Sequence, residues 1–168
     1  VDSSFAATAG QFFDRTDFGG ISSVLVQPDG KILFGSNEMS ALGDTLQVPL
    51  VRFNPDGSVD NTFHADNDPD GIGTGIVFNS AGWPEVPALA LQSDQKIIAA
   101  GVMTGVEDGT NSFTSRSIVR LLPDGSIDTS FQTAGTRQWP VGSLNYIEEL
   151  AVQPDDKIIL CGGFGGIF

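Results

Sequence analysis

The chain has 168 residues, 21 acidic against 8 basic, a formal net charge of -13, and 40% hydrophobic against 17% charged residues. This composition can build a hydrophobic core and lacks the apolar-poor, highly charged character of a disordered chain. An acidic surface repels a phosphate backbone, so nucleic acid is not an expected partner, whereas an extracellular setting and attraction of hard cations both suit it.

In chain order, the first recognisable piece is "VDSSF", Val1–Phe5, which matches only the tail of a longer motif met twice further on. Next comes "VLVQPDGKILFG" from Val24. Pro28 presets φ for the first turn position, Asp29 suits the second, and Gly30 accepts the left-handed conformation that closes a three-residue hairpin loop with a bulge. That loop places Gln27 opposite Lys31, Val26 opposite Ile32 and Val24 opposite Phe34. The apolar runs on both sides predict strands buried on both faces.

The second hairpin, Val51–Phe63, reads apolar-Arg-x-x-Pro-Asp-Gly-Ser-apolar-Asp-x-Thr-Phe. With Pro55-Asp56-Gly57 as its loop, Asn54 faces Ser58, Phe53 faces Val59 and Arg52 lands opposite Asp60. The copy at Val119–Phe131 turns at Gly125 and sets Arg120 opposite Asp128. Such cross-strand charge pairs pin register, each contributing roughly 0.2–1 kcal/mol, and all these residues read as structural.

The first hairpin recurs as "LALQSDQKIIAAG" from Leu89 and "LAVQPDDKIILCGG" from Leu150. Asp156 tolerates a left-handed backbone, but Gln95 would be strained by about 1–2 kcal/mol, so another turn geometry is expected at Ser93-Asp94-Gln95. Cys161, the single cysteine, is expected to be a buried strand thiol because its neighbours are apolar. Both motifs recur with a loose period of about sixty residues, long enough for one supersecondary unit.

Two hairpins per period give four antiparallel strands, hence an all-β, β-propeller-like array of about three repeats with a split or incomplete terminal blade; a β-solenoid is the alternative. The divisions are 1–5, a closing strand of an interrupted blade, then 6–63, 64–131 and a partial repeat over 132–168. The missing initiator Met suggests a processed protein or an excerpt. No signal peptide is recognised, and no apolar run reaches the length of a membrane span, so no membrane insertion is expected.

The residues "VQPDGKILFG" followed by "LVRFNPDGSVDNTF" resemble the delta-60 repeat, a β-propeller repeat of unknown function found in many copies in large bacterial surface and secreted proteins. The resemblance implies a propeller and an extracellular or cell-surface location, and it brings no catalytic residues.

Asp66, Asp68 and Asp70, followed by Gly71, match the start of an oxygen-rich Ca²⁺ loop, but Thr74 and Val77 stand where further ligands belong. Calcium is therefore a candidate cofactor and a solvated acidic turn the alternative. Trp83 and Trp139 lie in the segments before Val86 and Ile147, as inter-blade packing or as platforms for surface glycans. The only histidine, His64, has no Ser or Cys partner nearby, so no enzyme is expected. The leading expectation is a structural or adhesive module whose partners are neighbouring repeats or other copies of the chain, assembled into a filament by strand complementation. A glycan-binding or glycan-cleaving propeller and a calcium-stiffened spacer are the alternatives.

Overall fold

The computed structural model of the chain describes residues 3–9, 20–37, 50–63, 85–103, 116–131, 136–137 and 146–163. Among the described residues a short helix, α1 (Ser3–Ala9), precedes nine strands: β1 (Gly20–Val26), β2 (Ile32–Asn37), β3 (Leu50–Phe53), β4 (Glu85–Leu91), β5 (Ile97–Met103), β6 (Arg116–Leu121), β7 (Thr136–Arg137), β8 (Tyr146–Val152) and β9 (Ile158–Gly163). All described pairings are antiparallel.

Three units follow the repeats. Unit one pairs β1 with β2 and β2 with β3, and the isolated bridge Phe53↔Val59 adds a fourth extended segment outside β3. Unit two repeats this with β4, β5, β6 and the bridge Leu121↔Ile127, and β6 also pairs β7. Unit three is the β8–β9 hairpin. Among the described residues one residue pair, Asn37↔Glu85 of β2 and β4, links the ladders of units one and two. That pair joins β1 to β7 in one seven-stranded sheet while β8–β9 forms a separate two-stranded one, and beyond it the units meet through side-chain faces.

The turn chemistry sets the register. Val26 pairs Ile32 and Val24 pairs Phe34, while the Gln27 amide donates to the Lys31 carbonyl at 2.8 Å and the Gly30 amide to the Gln27 carbonyl at 2.9 Å. Gly30, Gly57 and Gly125 have φ of 85°, 86° and 92°, the left-handed values that such a loop requires. In each loop the middle aspartate accepts from the amide two residues on: Asp29 from Lys31, Asp56 from Ser58, Asp94 from Lys96, Asp124 from Ser126 and Asp155 from Lys157.

Two expectations about loops and strands are corrected. Gln95 takes the left-handed conformation after all, with φ of 68°, because the bonds between Gln92, Gln95 and Lys96 hold the loop in the shape of its siblings. The first strand of unit one is not buried on both faces: Ile21, Val24 and Val26 are exposed, since no described element lies over that face of β1. The amino terminus also differs from expectation, for Ser3–Phe5 form the first turn of α1 and not a closing strand. The Asp-x-Thr-Phe and Asp-x-Ser-Phe segments of the repeats are themselves turns, in which Asp60 and Asp128 cap the amides of Thr62 and Ser130. At Ser3–Ala9 the run of alanines extends such a turn into a helix.

The core lies between the units. Leu33 and Leu50 of unit one meet Val86, Ile97, Ala99, Val119 and Leu121 of unit two. The opposite face of unit two, with Ala88, Ile98, Ala100 and Ile118, meets Ile147 and Leu150 of unit three. On the far side of unit one, α1 lays Phe5 and Ala9 over Phe34, Val51 and Phe53, with Phe5 edge-on to Phe53 at 6.2 Å. Gly35 has no room for a Cβ beside Ser23 and the Val86 carbonyl. That close approach lets the Ser22 and Ser23 hydroxyls donate to the Val86 carbonyl at 3.0 and 2.7 Å, joining β1 to β4.

Candidate functional site

The polar residues of both hairpins converge on one buried node per repeat. β3 delivers Arg52 and the turn after Val59 delivers Asp60, with Arg52 Nε donating to Asp60 Oδ2 at 2.8 Å and both side chains almost wholly buried. Lys31, the residue before β2, reaches the same carboxylate oxygen at 2.7 Å. Arg52 Nη1 donates to Gln27 Oε1 at 3.2 Å, and the guanidinium lies 4.3 Å from the ring centroid of Phe63. Thr62 donates its amide and hydroxyl to Asp60 Oδ1, so both oxygens of the buried carboxylate are used.

Unit two builds the same node more openly. Arg120 Nε donates to Asp128 Oδ2 at 2.9 Å, Lys96 Nζ lies 3.3 Å from that oxygen, and Gln92 Oε1 accepts from Arg120 at 3.5 Å. The Phe131 ring centroid lies 4.6 Å from the guanidinium. Lys96 is shared with Asp94 at 3.0 Å. The hydrogen bond to Asp94, then that to Asp128, raises its pKa.

Both nodes hold ionised carboxylates. Burial by itself pushes the Asp60 carboxyl up, but hydrogen bonds from Lys31 and Thr62 and the charge of Arg52 outweigh it and hold the group well below the usual carboxylate range. At Asp128 the Ser130 hydroxyl contributes most, against burial and with help from the Ser130 amide, Lys96 and Arg120, bringing the group down to about 2. A carboxylate so firmly ionised is a poor proton donor or acceptor near neutral pH, so the arrangement suits ion pairing and not acid–base catalysis.

Each node also ties its unit to the next. Arg52 Nη1 donates to the Pro123 carbonyl, in the second loop of unit two, at 2.5 Å. Gln92 Nε2 donates to the Asp156 carbonyl of unit three at 2.9 Å. Beside it, the Ser93 amide and hydroxyl donate to the two oxygens of the Asp156 carboxylate at 2.8 and 2.5 Å. Ser93 stands where the sister loops have Pro28 and Pro154, and Asp156 where Gly30 stands. Two departures from the loop motif thus supply donor and acceptor to each other across a joint.

The expected structural residues therefore come together: Arg52 with Asp60, Arg120 with Asp128, and Gly30, Gly57 and Gly125 in the turns that align them. The roles of Gln27, Lys31, Gln92 and Lys96 in the nodes were missed. Their signal was their fixed place around the first loop, but it is the pairing of β2 with β3 and of β5 with β6 that carries them to the arginines. Cys161 is corrected from buried to exposed, because it shares the uncovered face of β9 with Ile159. Asp66, Asp68, Asp70, Trp83, Trp139 and His64 lie outside the described residues. Among the described residues, no cluster of three or more His, Cys, Asp or Glu could hold a metal ion, and no helix is long and apolar enough to cross a membrane.

Residues 27–63 and 92–131 match the family model described as a domain of unknown function (DUF5122), beta-propeller. Both segments are thus similar to the DUF5122 β-propeller family, over somewhat less than half of the chain. The expected delta-60-like propeller repeat is thereby borne out. Each DUF5122 segment begins at the glutamine of a node, Gln27 or Gln92, and ends at its phenylalanine, Phe63 or Phe131. The family match thus spans the node from its glutamine to its phenylalanine and leaves out the preceding strand, β1 or β4. No curated protein and no solved structure matches the chain.

Proposed function

We propose that the chain is a structural module of an extracellular or cell-surface protein, in which repeated DUF5122 hairpins form a scaffold and segments between them make adhesive contacts. The observation that supports it most is the use of the repeated polar residues: Gln, Lys, Arg and Asp of each node bond to one another or to the next unit. Residues that recur because they hold blades together leave the recurring motif without an evident reactive group.

On this reading the chain turns over no substrate, and its partners are other units of its own kind. A panel of polysaccharides incubated with the protein checks it, with release of reducing ends as one readout and retention on a glycan array as the other. The expected result is no cleavage and no selective glycan binding; reproducible cleavage, or selective retention of one glycan, overturns the scaffold reading in favour of a glycan-directed propeller.

A further inference from the structure

The phenylalanine that ends the Asp-x-Ser/Thr-Phe motif recurs as Phe5, Phe63 and Phe131. Each time its ring is placed against the unit that comes next along the chain. Phe63 belongs to the buried cluster that holds Val86, Ile97, Ala99, Val119 and Leu121 of unit two. Phe131 packs on the cluster that includes Ile147 and Leu150 of unit three. Phe5 lies edge-on to Phe34 at 6.5 Å and to Phe53 at 6.2 Å, both in unit one. The backbones that carry the rings differ. Phe63 and Phe131 end turns closed by their own amides on the Asp60 and Asp128 carbonyls, each at 3.0 Å, whereas Phe5 sits in helix α1. What recurs is the destination of the ring, so that destination, and not a local turn, is what the motif serves.

Two of the rings also touch the charged node of their own unit. The Arg52 guanidinium lies 4.3 Å from the Phe63 centroid and that of Arg120 lies 4.6 Å from the Phe131 centroid. A cation over a ring gains more as the site is desolvated, so the apolar packing and the cation contact support each other. Further contacts follow the same path along the chain. Arg52 Nη1 donates to the Pro123 carbonyl, in the second loop of unit two. The Phe5 carbonyl oxygen lies 2.7 Å from where a Cβ on Gly57 would stand, in the second loop of unit one.

We propose that these phenylalanines are joint residues: each supports the packing of the following unit, and Phe63 and Phe131 couple a charged node to that packing. The cooperative unit is then offset from the sequence repeat. A repeat ends at its phenylalanine, but the ring stabilises the hairpins that come after it, and loosening a node loosens the joint ahead. Such coupling is carried by contiguous packed side chains and is measured as a coupling free energy. It goes beyond the scaffold reading and does not rest on it, since these contacts stand whatever the segments between the hairpins bind.

Hydrogen exchange of the intact chain under native conditions, resolved strand by strand, tests the offset. Phe131→Ala is expected to speed exchange of the β8 and β9 amides by about tenfold or more, while β2 and β3 stay within about twofold of the parent. Phe5→Ala should do the reverse, speeding β2 and β3 and sparing β8 and β9. Arg120→Gln keeps the Phe131 ring but takes the charge from it, and should speed β8 and β9 by a smaller factor. Phe131→Tyr and Phe5→Tyr keep the rings and should hold the parent's rates; Phe131→Leu, with a milder loss of the same pattern, serves where the alanine variant unfolds. The proposal is overturned if Phe131→Ala or Phe131→Leu speeds all units equally, or speeds β4, β5 and β6 more than β8 and β9. It is also overturned if the tyrosine variants exchange as fast as the alanine ones, or if Arg120→Gln leaves β8 and β9 at the parent's rate.

Discussion

Arg52 and Asp60 illustrate how a surface-looking pair becomes an interior one. A charge pair in water is worth little, but this pair is almost wholly buried, and removing one member leaves an uncompensated charge at a cost of about 3–5 kcal/mol. Asp60→Ala is therefore expected to destabilise the chain by about that much in urea denaturation. Asp128→Ala should cost less, because Arg120 and Lys96 are partly exposed and water can hydrate them. The depressed carboxyl groups also set a pH dependence. A group whose folded pKa lies below its unfolded value of about 3.9 stabilises the fold above that value and loses the contribution as pH falls through the folded pKa. With Asp128 down to about 2 and Asp60 held lower still, stability should fall as pH drops from about 4 to about 2. The fall should be shallower in Asp128→Asn, and denaturation followed at stepped pH measures both slopes. The partners Arg52–Asp60 and Arg120–Asp128 were legible in the sequence because a three-residue loop leaves only one register. Lys31 and Gln27 were not, since nothing local says which strand lies beside β2.

Loops and strands show the same division at the scale of elements. Pro-Asp-Gly fixes turn geometry wherever it occurs, and where one residue departs the hairpin imposes the geometry instead. Gln95 is such a case, held at φ 68°. Gln95→Gly should relieve its strain and stabilise by about 0.5–1 kcal/mol, part of the gain being lost to the freer unfolded chain; in a melting scan this raises Tm by a few degrees. Gly57→Ala should act oppositely, for φ is 86° there and a Cβ would meet the Phe5 carbonyl oxygen of α1 at 2.7 Å. The paired departures at Ser93 and Asp156 make a further prediction. Ser93→Ala and Asp156→Gly should each destabilise, and the double substitution should cost less than their sum by about 1 kcal/mol, read from a double-mutant cycle in urea. Helix α1 was illegible because its motif ends a hairpin turn elsewhere in the chain. Only the Phe5 contact with Phe34 and Phe53, and the close approach to Gly57, put the helix over unit one.

For the whole molecule, apolar faces and acidic charge oppose each other. The faces of β1 and β9 expose apolar side chains, whereas a net charge of -13 makes copies repel. Shortening the Debye length from about 30 Å at 10 mM salt to about 8 Å at physiological salt should therefore weaken the repulsion between copies, which the concentration dependence of sedimentation at the two salt concentrations would register. The sequence by itself determined the repeat, the hairpins, their register and the all-β class, because these depend on turn residues and alternation acting over a few positions. It also marked Arg52, Asp60, Arg120 and Asp128 as structural. Tertiary structure decided which faces are covered. Leu33, Ile98 and Ile159 have nearly the same local sequence around them, yet two are fully buried and one is half exposed, since burial depends on whether another unit lies across the face and no short stretch of chain carries that information.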